Sequence, residues 1–267
     1  MLHTRTVVDR DGVTIRDVAC RDASDRADAP EEATAHTVVF VRRGSFVRTA
    51  AGVESVCDPT VAYCTSPGDE ECFEHPHTDG DDCTAVSFDP SVATSLWADE
   101  PVPGALPTPP HVDLEHRILL AAGHGAADPR ELAEGAIGLV AHALELNGHR
   151  AVAAGRPTTD RARRTVVNDA REALAADPDL SLPELAHAVA VSPHHLSRIF
   201  RRATGQTISR HRMRLRARDV LERFADGERD LARLAADAGF ADQSHLCRVM
   251  QAETGRAPST LRALLAG

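Results

Sequence analysis

Lysine is absent from this 267-residue chain, so all 30 basic residues are arginine. GC-rich coding explains that bias as well as selection for phosphate-binding forks does, and composition alone does not choose between them. Aromatic residues make up only 3%, with one Trp and one Tyr, which leaves aliphatic side chains to fill the core. No apolar run approaches the roughly 20 residues of a membrane helix. Residues 1–12 are polar, without the apolar segment of a secretory signal, so the sequence predicts a cytoplasmic protein with no membrane partner.

What is present is ordinary globular composition, 42% hydrophobic and 26% charged, which excludes wholesale disorder and collagen-like architectures. At about 150 residues per domain the length predicts two domains, each able to bury its own core. The net charge of −10 hides a division. Residues 1–157 hold 12 Arg against 26 Asp and Glu, a sum of −14, while residues 158–267 hold 18 Arg against 14, a sum of +4. A basic C-terminal part follows an acidic remainder.

Val7 to Val18 is compatible with short strands, and Cys20–Thr34 reads as a solvated loop. From His36 to Pro90 the pattern is all β. Runs at His36–Arg43, Ser45–Ala50, Val53–Cys57, Thr60–Thr65, Glu71–Pro76 and Cys83–Asp89 are separated by turn signals such as Ala51-Gly52 and Asp58-Pro59. Closely spaced short strands predict a small antiparallel barrel or sandwich. Five prolines between Glu100 and Pro110 predict a stiff connector without regular structure. Two helices, Val112–Ala122 and Asp128–Asn147, follow, and such a pair packs either on the barrel or on a second copy of it.

The rest is helix after helix. After Arg161–Ala176, the segment Ser181-Leu182-Pro183-Glu184 reads as a capping box opening a short helix, Leu182–Val189. Ser192-Pro193 starts the next, Pro193–Thr204, which stops at Gly205. On it Leu196, Ile199 and Phe200 form a buried stripe, so His194, His195, Ser197, Arg198, Arg201 and Arg202 face outward. The pattern then repeats. Asp230–Ala238, a Gly239-Phe240-Ala241 turn and Asp242–Thr254 place Leu246, Val249 and Met250 inward, with Gln243, Ser244, His245, Cys247 and Arg248 away from them. Ile208–Ala225, long and Arg-rich, predicts a strut between the units. Arg, His, Ser and Gln on the second helix of a helix-turn-helix suit phosphates and base edges.

Ala190-Val191-Ser192-Pro193-His194-His195-Leu196-Ser197-Arg198-Ile199-Phe200-Arg201, Thr204-Gly205, Ala238-Gly239-Phe240-Ala241-Asp242-Gln243-Ser244-His245-Leu246-Cys247-Arg248, Thr254-Gly255, Pro258 and Arg262 carry a resemblance. Ser181–Arg262 resembles the DNA-binding domain of AraC/XylS-type transcriptional regulators, departing from the usual pattern at Leu246, Met250 and Gln251. The resemblance implies an α+β chain. It consists of a cupin-like sensor and dimerisation barrel over residues 1–148 with the helical pair 112–147, a linker over 149–160, and an all-α domain over 161–267 whose two helix-turn-helix units are joined by a linker helix. It implies double-stranded DNA, a small-molecule or metal effector, RNA polymerase for an activator, and a second copy of the chain as partners, and no enzymatic activity. The rival reading is a cupin-type metalloenzyme, or a metal or redox sensor, with an appended DNA-binding module.

Four of the six cysteines, Cys57, Cys64, Cys72 and Cys83, fall in 27 residues. If Ser66–Glu70 is a hairpin tip, Cys64 faces Cys72 across strands, placed for a disulfide or a shared metal. Cys72, His75, His77 and Cys83 are a compact ligand set for zinc or another transition metal. His75-Pro76-His77 would suit two ligands of a cupin enzyme, but Asp79, Asp81 and Asp82 stand where its further ligands are expected. Plain packing of buried thiols is the third reading.

Overall fold

The computed structural model describes residues 2–21, 29–75, 80–97, 104–148 and 157–266. The N-terminal part runs β1 (Leu2–Arg10), β2 (Val13–Cys20), β3 (Glu31–Glu32), β4 (His36–Arg43), β5 (Phe46–Ala50), β6 (Val53–Cys57), β7 (Val61–Thr65), β8 (Glu70–Glu74), β9 (Asp81–Phe88), α1 (Pro90–Trp97), β10 (Ala105–Pro107), α2 (Pro110–His124) and α3 (Pro129–Gly148). The strands form two antiparallel sheets, one in the order β1-β2-β9-β4-β7-β10 and the other β3-β8-β5-β6.

Strand β4 shows how the layers are made, because it is apolar on both faces. Val38 and Phe40 join a core with Ile15, Val86 and Phe88 under α1 and α3, whereas Val39 and Val41 point between the sheets toward Phe46, Tyr63 and Cys83. The stripe Leu132, Ala133, Ala136, Leu139, Val140 and Ala143 of α3 is buried on the barrel of its own chain. Of the two arrangements the sequence allowed for this helix, packing on its own barrel is the one adopted.

The C-terminal part is α4 (Pro157–Ala176), α5 (Leu182–Ala188), α6 (Pro193–Thr204), α7 (Ile208–Ala225), α8 (Leu231–Asp237), α9 (Gln243–Thr254) and α10 (Pro258–Leu265). Of the ten helices among the described residues, six, α1, α2, α3, α4, α6 and α10, open on proline. That position has no helical acceptor for its N–H, so proline's missing donor costs nothing there. The proline-rich connector does contain regular structure, contrary to expectation. β10 pairs with the edge of β7, Pro107 opposite Val61, as an edge strand permits. Helix α1 follows Asp89, between the last expected strand and the proline-rich connector, and α4 begins inside the expected linker.

Helix α2 belongs to both halves. Val112 packs into the core of the barrel, while Leu114 and Ile118 enter a cluster with Val220, Leu221, Phe224, Leu246 and Leu261 of the C-terminal helices. A second C-terminal core joins Val167 and Leu174 of α4 to Leu185, Leu196, Ile199 and Phe200.

Candidate nucleic-acid interface

The first helix-turn-helix unit is built by local bonds that its sequence supplies. Ser181 and Glu184 form the reciprocal capping box of α5, and the Ser192 hydroxyl accepts the His195 N–H at 3.2 Å to start α6. Gly205, at φ 73°, ends it. Leu196, Ile199 and Phe200 are buried, and His194, Ser197, Arg198, Arg201 and Arg202 are exposed along one shallow concavity. His195 is half-buried, with its Nδ1 3.4 Å from Arg198 Nη2. The arrangement leaves a cationic face with guanidinium forks and no internal carboxylate partner drawn to it among the described residues.

The second unit repeats this with different caps. Asp230 accepts from the Ala232 and Arg233 N–H groups, and Asp242 accepts from His245 at 2.6 Å. Its turn is one residue longer: Gly239, Phe240 and Ala241 precede the cap, against Ala190 and Val191 in the first unit. Both turns reverse on a left-handed residue, Ala190 at φ 53° and Gly239 at φ 69°. Gln243, Ser244 and Arg248 are exposed; Cys247 is half-buried. His245 packs its ring against Phe240 and accepts the Ala241 N–H on Nδ1 at 3.3 Å, so it braces the turn and keeps only Nε2 for another partner.

Strut α7 is bolted to both units. Glu253 of α9 is buried and lies 2.7 Å from Arg210 and 3.4 Å from Arg214, and Arg214 donates to Gln206 at 2.7 Å. Its opposite side meets the barrel. Glu222 pairs with Arg117 of α2 and with Arg42 of β4, and Arg218 donates to the Thr108 carbonyl at 2.5 Å while lying 3.7 Å from Asp113. His211, fully buried, sits 3.7 Å from Asp58 of the barrel and bonds Gln206 at 3.0 Å. Burial drives its pKa down to about 4, against the upward pull of Asp58. The sequence reading missed these groups. The only signal for them was arginine recurring at positions 210, 214 and 218, one face of α7.

The cysteines are placed differently from the expected hairpin. Cys64 lies opposite Val38 in one sheet and Cys72 opposite Thr49 in the other, so the two do not face each other. Strand alternation puts Cys72 on the face opposite Phe73 and His75, and His75 contacts Phe46 from inside. Cys72, His75 and Cys83 therefore do not converge, and His77 lies outside the described residues. Burial pushes the thiols of Cys57 and Cys64 up to about 12 and that of Cys83 well above its ordinary value, as expected of packed, unreactive groups.

Residues 185–263 match a family described as a helix-turn-helix domain. No curated protein matches the chain. Among solved structures it is similar to ToxT of Vibrio cholerae. An apo variant aligns at TM-score 0.42 and 8% identity over 97% of this chain and 100% of that one. The wild type with bound unsaturated fatty acid aligns at 0.37 and 12%, over 96% and 95%. The cupin domain of an XRE family transcriptional regulator from Enterobacter cloacae covers 33% of this chain and 97% of its own, at 0.29 and 11%. Among the described residues, no helix is long and apolar enough to cross a membrane.

Proposed function

From the AraC-type helix-turn-helix domain that this chain carries, we infer that the protein is a sequence-specific, DNA-binding transcriptional regulator whose barrel receives the signal. The observation that supports it most is the pair of capped helices, α6 and α9, each with a buried apolar stripe and an exposed polar face, fixed to one strut. Such helices enter successive major-groove turns when their separation is held.

The two faces differ in chemistry, and so should what they read. Arg198 can fork onto guanine and Gln243 onto adenine. His194, Ser197, Ser244 and Arg248 flank them, and Arg201 lies where a phosphate would sit. His245 acts first as a brace of its own turn, and His195 lies beside the Arg198 guanidinium and would help to aim it. The barrel would act on this surface through the buried contacts of α7 with Asp58, Asp113, Arg117 and Arg42.

Selection of randomised duplex DNA by the full chain tests the reading. Arg198→Ala should relax preference at one end of the recovered site and Gln243→Ala at the other, each costing about 1–3 kcal/mol of discrimination. Shifts at the same positions in both variants, or at none, would refute the two-helix model.

A further inference from the structure

Cys20 ends β2, and its direct cross-strand partner is Asp81, the first residue of β9. The two strands close tightly at this end because of Gly80. A Cβ there would lie 2.1 Å from the Cys20 carbonyl oxygen, and the residue holds φ 71°, so only glycine permits the approach. His75 arrives from the other sheet, just past β8, through its packing on Phe46. Its Nε2 lies 3.9 Å from Cys20 Sγ and its Nδ1 2.9 Å from Asp81 Oδ2. One ligating atom from each of the three residues can be chosen so that all lie within 4.8 Å of one another.

The charge around Asp81 is what gives this cluster chemical meaning. Asp81 is 4% exposed, and among the described residues its Oδ2 accepts no well-aligned hydrogen bond and is approached by His75 Nδ1 alone. Among the described residues, Oδ1 accepts only the Cys83 thiol, at 3.4 Å. The nearest guanidinium, Arg21, is committed elsewhere, to Asp82 at 2.6 Å and to the carbonyls of Cys20 and Asp81 at 3.0 Å. A buried carboxylate in this state calls for a cation.

We propose that Cys20, His75 and Asp81 form a zinc site with three protein ligands and a fourth position for water. A thiolate, a neutral imidazole and a carboxylate carry two negative charges, which a divalent ion balances inside the barrel. In a tetrahedral zinc centre neighbouring ligand atoms stand about 3.3–3.6 Å apart; because His75 can offer only one ring nitrogen to the ion, one of its two close contacts gives way, and from mutual separations within 4.8 Å the three ligand atoms need to draw in by no more than about an ångström. Cys83, bonded to the carboxylate, orients Asp81 and does not ligate. This set shares only His75 with the grouping expected from spacing. Cys72 is excluded by strand alternation, and Cys20 enters by a strand pairing that no local motif reveals. The neighbouring residues Gly80 and Asp82 line the clefts between the barrel and α7, so the ion would sit directly behind the surface that contacts the DNA-binding half.

The full-length protein, reduced and stripped of metal, is titrated with Co2+ alone. The expected result is saturation at about one ion per chain, with the near-ultraviolet absorption of a thiolate-to-cobalt bond, displaced by zinc. Cys20→Ser should abolish that absorption, and Asp81→Asn should weaken binding at least about tenfold. Cys72→Ser and Cys64→Ser should leave both unchanged. Should the Cys20 variant fail to fold, alkylation of the wild type followed by mass spectrometry gives the same answer: Co2+ should protect Cys20 and leave Cys72 and Cys247 as reactive as before. Substoichiometric Co2+, an absorption without thiolate character, or protection of Cys72 in place of Cys20 would overturn the proposal.

Discussion

Asp58 divides its two carboxylate oxygens between its own turn and the other half of the molecule. Oδ1 accepts the backbone N–H and the hydroxyl of Thr60, at 2.7 and 2.6 Å. Oδ2 takes Arg171 of α4, with Nε at 3.0 Å and Nη2 at 2.8 Å. Burial alone would raise this carboxyl's pKa; Arg171, His211 and Thr60 together hold it below the ordinary value. The contact joins the barrel to the first helix-turn-helix unit, and Glu222 with Arg117 joins it to the strut behind the second.

Removing one partner of such a buried pair strands the other. Asp58→Ala should therefore destabilise the protein by about 3–5 kcal/mol, and Arg171→Leu in the same chain should restore part of the loss. Denaturant unfolding of the two single variants and the double variant measures the coupling. Additive losses would show that the pair contributes no coupling.

Glu222→Ala leaves Arg117 with Asp113 and Arg42 with Asp17, so each arginine keeps one counter-charge. The expected effect is local. Amide exchange should accelerate in the second half of α7 and at the end of β4, while strands β5 and β6 stay protected. Equal acceleration throughout the chain would contradict it.

Acid should loosen the same region. His211 is held neutral down to about pH 4, whereas in the unfolded chain it titrates near its ordinary value of 6.5. Between those limits the unfolded state binds the extra proton, so this residue's contribution is complete above about pH 6.5 and is lost as pH falls toward 4, to a total of about 3 kcal/mol. The groups facing it are Asp58, Arg171, Arg214 and Arg218. His211→Asn should flatten the stability profile in that window, leaving the slope contributed by His116, which burial also keeps neutral.

Gly239→Ala tests the second turn. The residue holds φ 69°, and a Cβ would meet the Arg216 guanidinium at 2.9 Å. Arg216 donates to the Gly239 carbonyl and pairs with Asp179 at the entrance to the first unit. A loss of at least about 1 kcal/mol is expected in thermal unfolding. An unchanged midpoint would mean that the turn can reverse without glycine.

Arg201→Ala should weaken binding to every duplex alike and lower the slope of log affinity against log salt by about one. Arg198→Ala should lower affinity mainly for its preferred site. A filter-binding series over salt separates the two.

The two helix-turn-helix units were legible because their information is local. A cap, an apolar stripe and a closing glycine lie within fourteen residues, Ser192 to Gly205 and again Asp242 to Gly255. The strands were legible as strands for the same reason, bounded by turn residues. Their assignment to sheets was not: Thr65 and Glu71 flank what reads as a hairpin, yet the chain crosses there from one sheet to the other. The pairing of Cys64 with Cys72 expected from that hairpin is lost with it, and Cys20 and Asp81 meet only through the pairing of β2 with β9. The contacts of Asp58 and Glu222 were equally silent, since a buried arginine looks in sequence like a solvated one.

Because α2 supplies Val112 to one core and Leu114 and Ile118 to another, the two halves are not interchangeable parts. A chimera that grafts the C-terminal helices onto a foreign barrel would arrive with an open apolar seam along α7, α9 and α10 and with Glu222 and Arg218 facing strangers. A transplant that carries α2 along would instead bring its own gasket, and the new barrel would need only to accept the Val112 side of that helix. Within a lineage, changes on the two sides of α2 should therefore travel together, with Arg117 and Glu222 replaced as a pair.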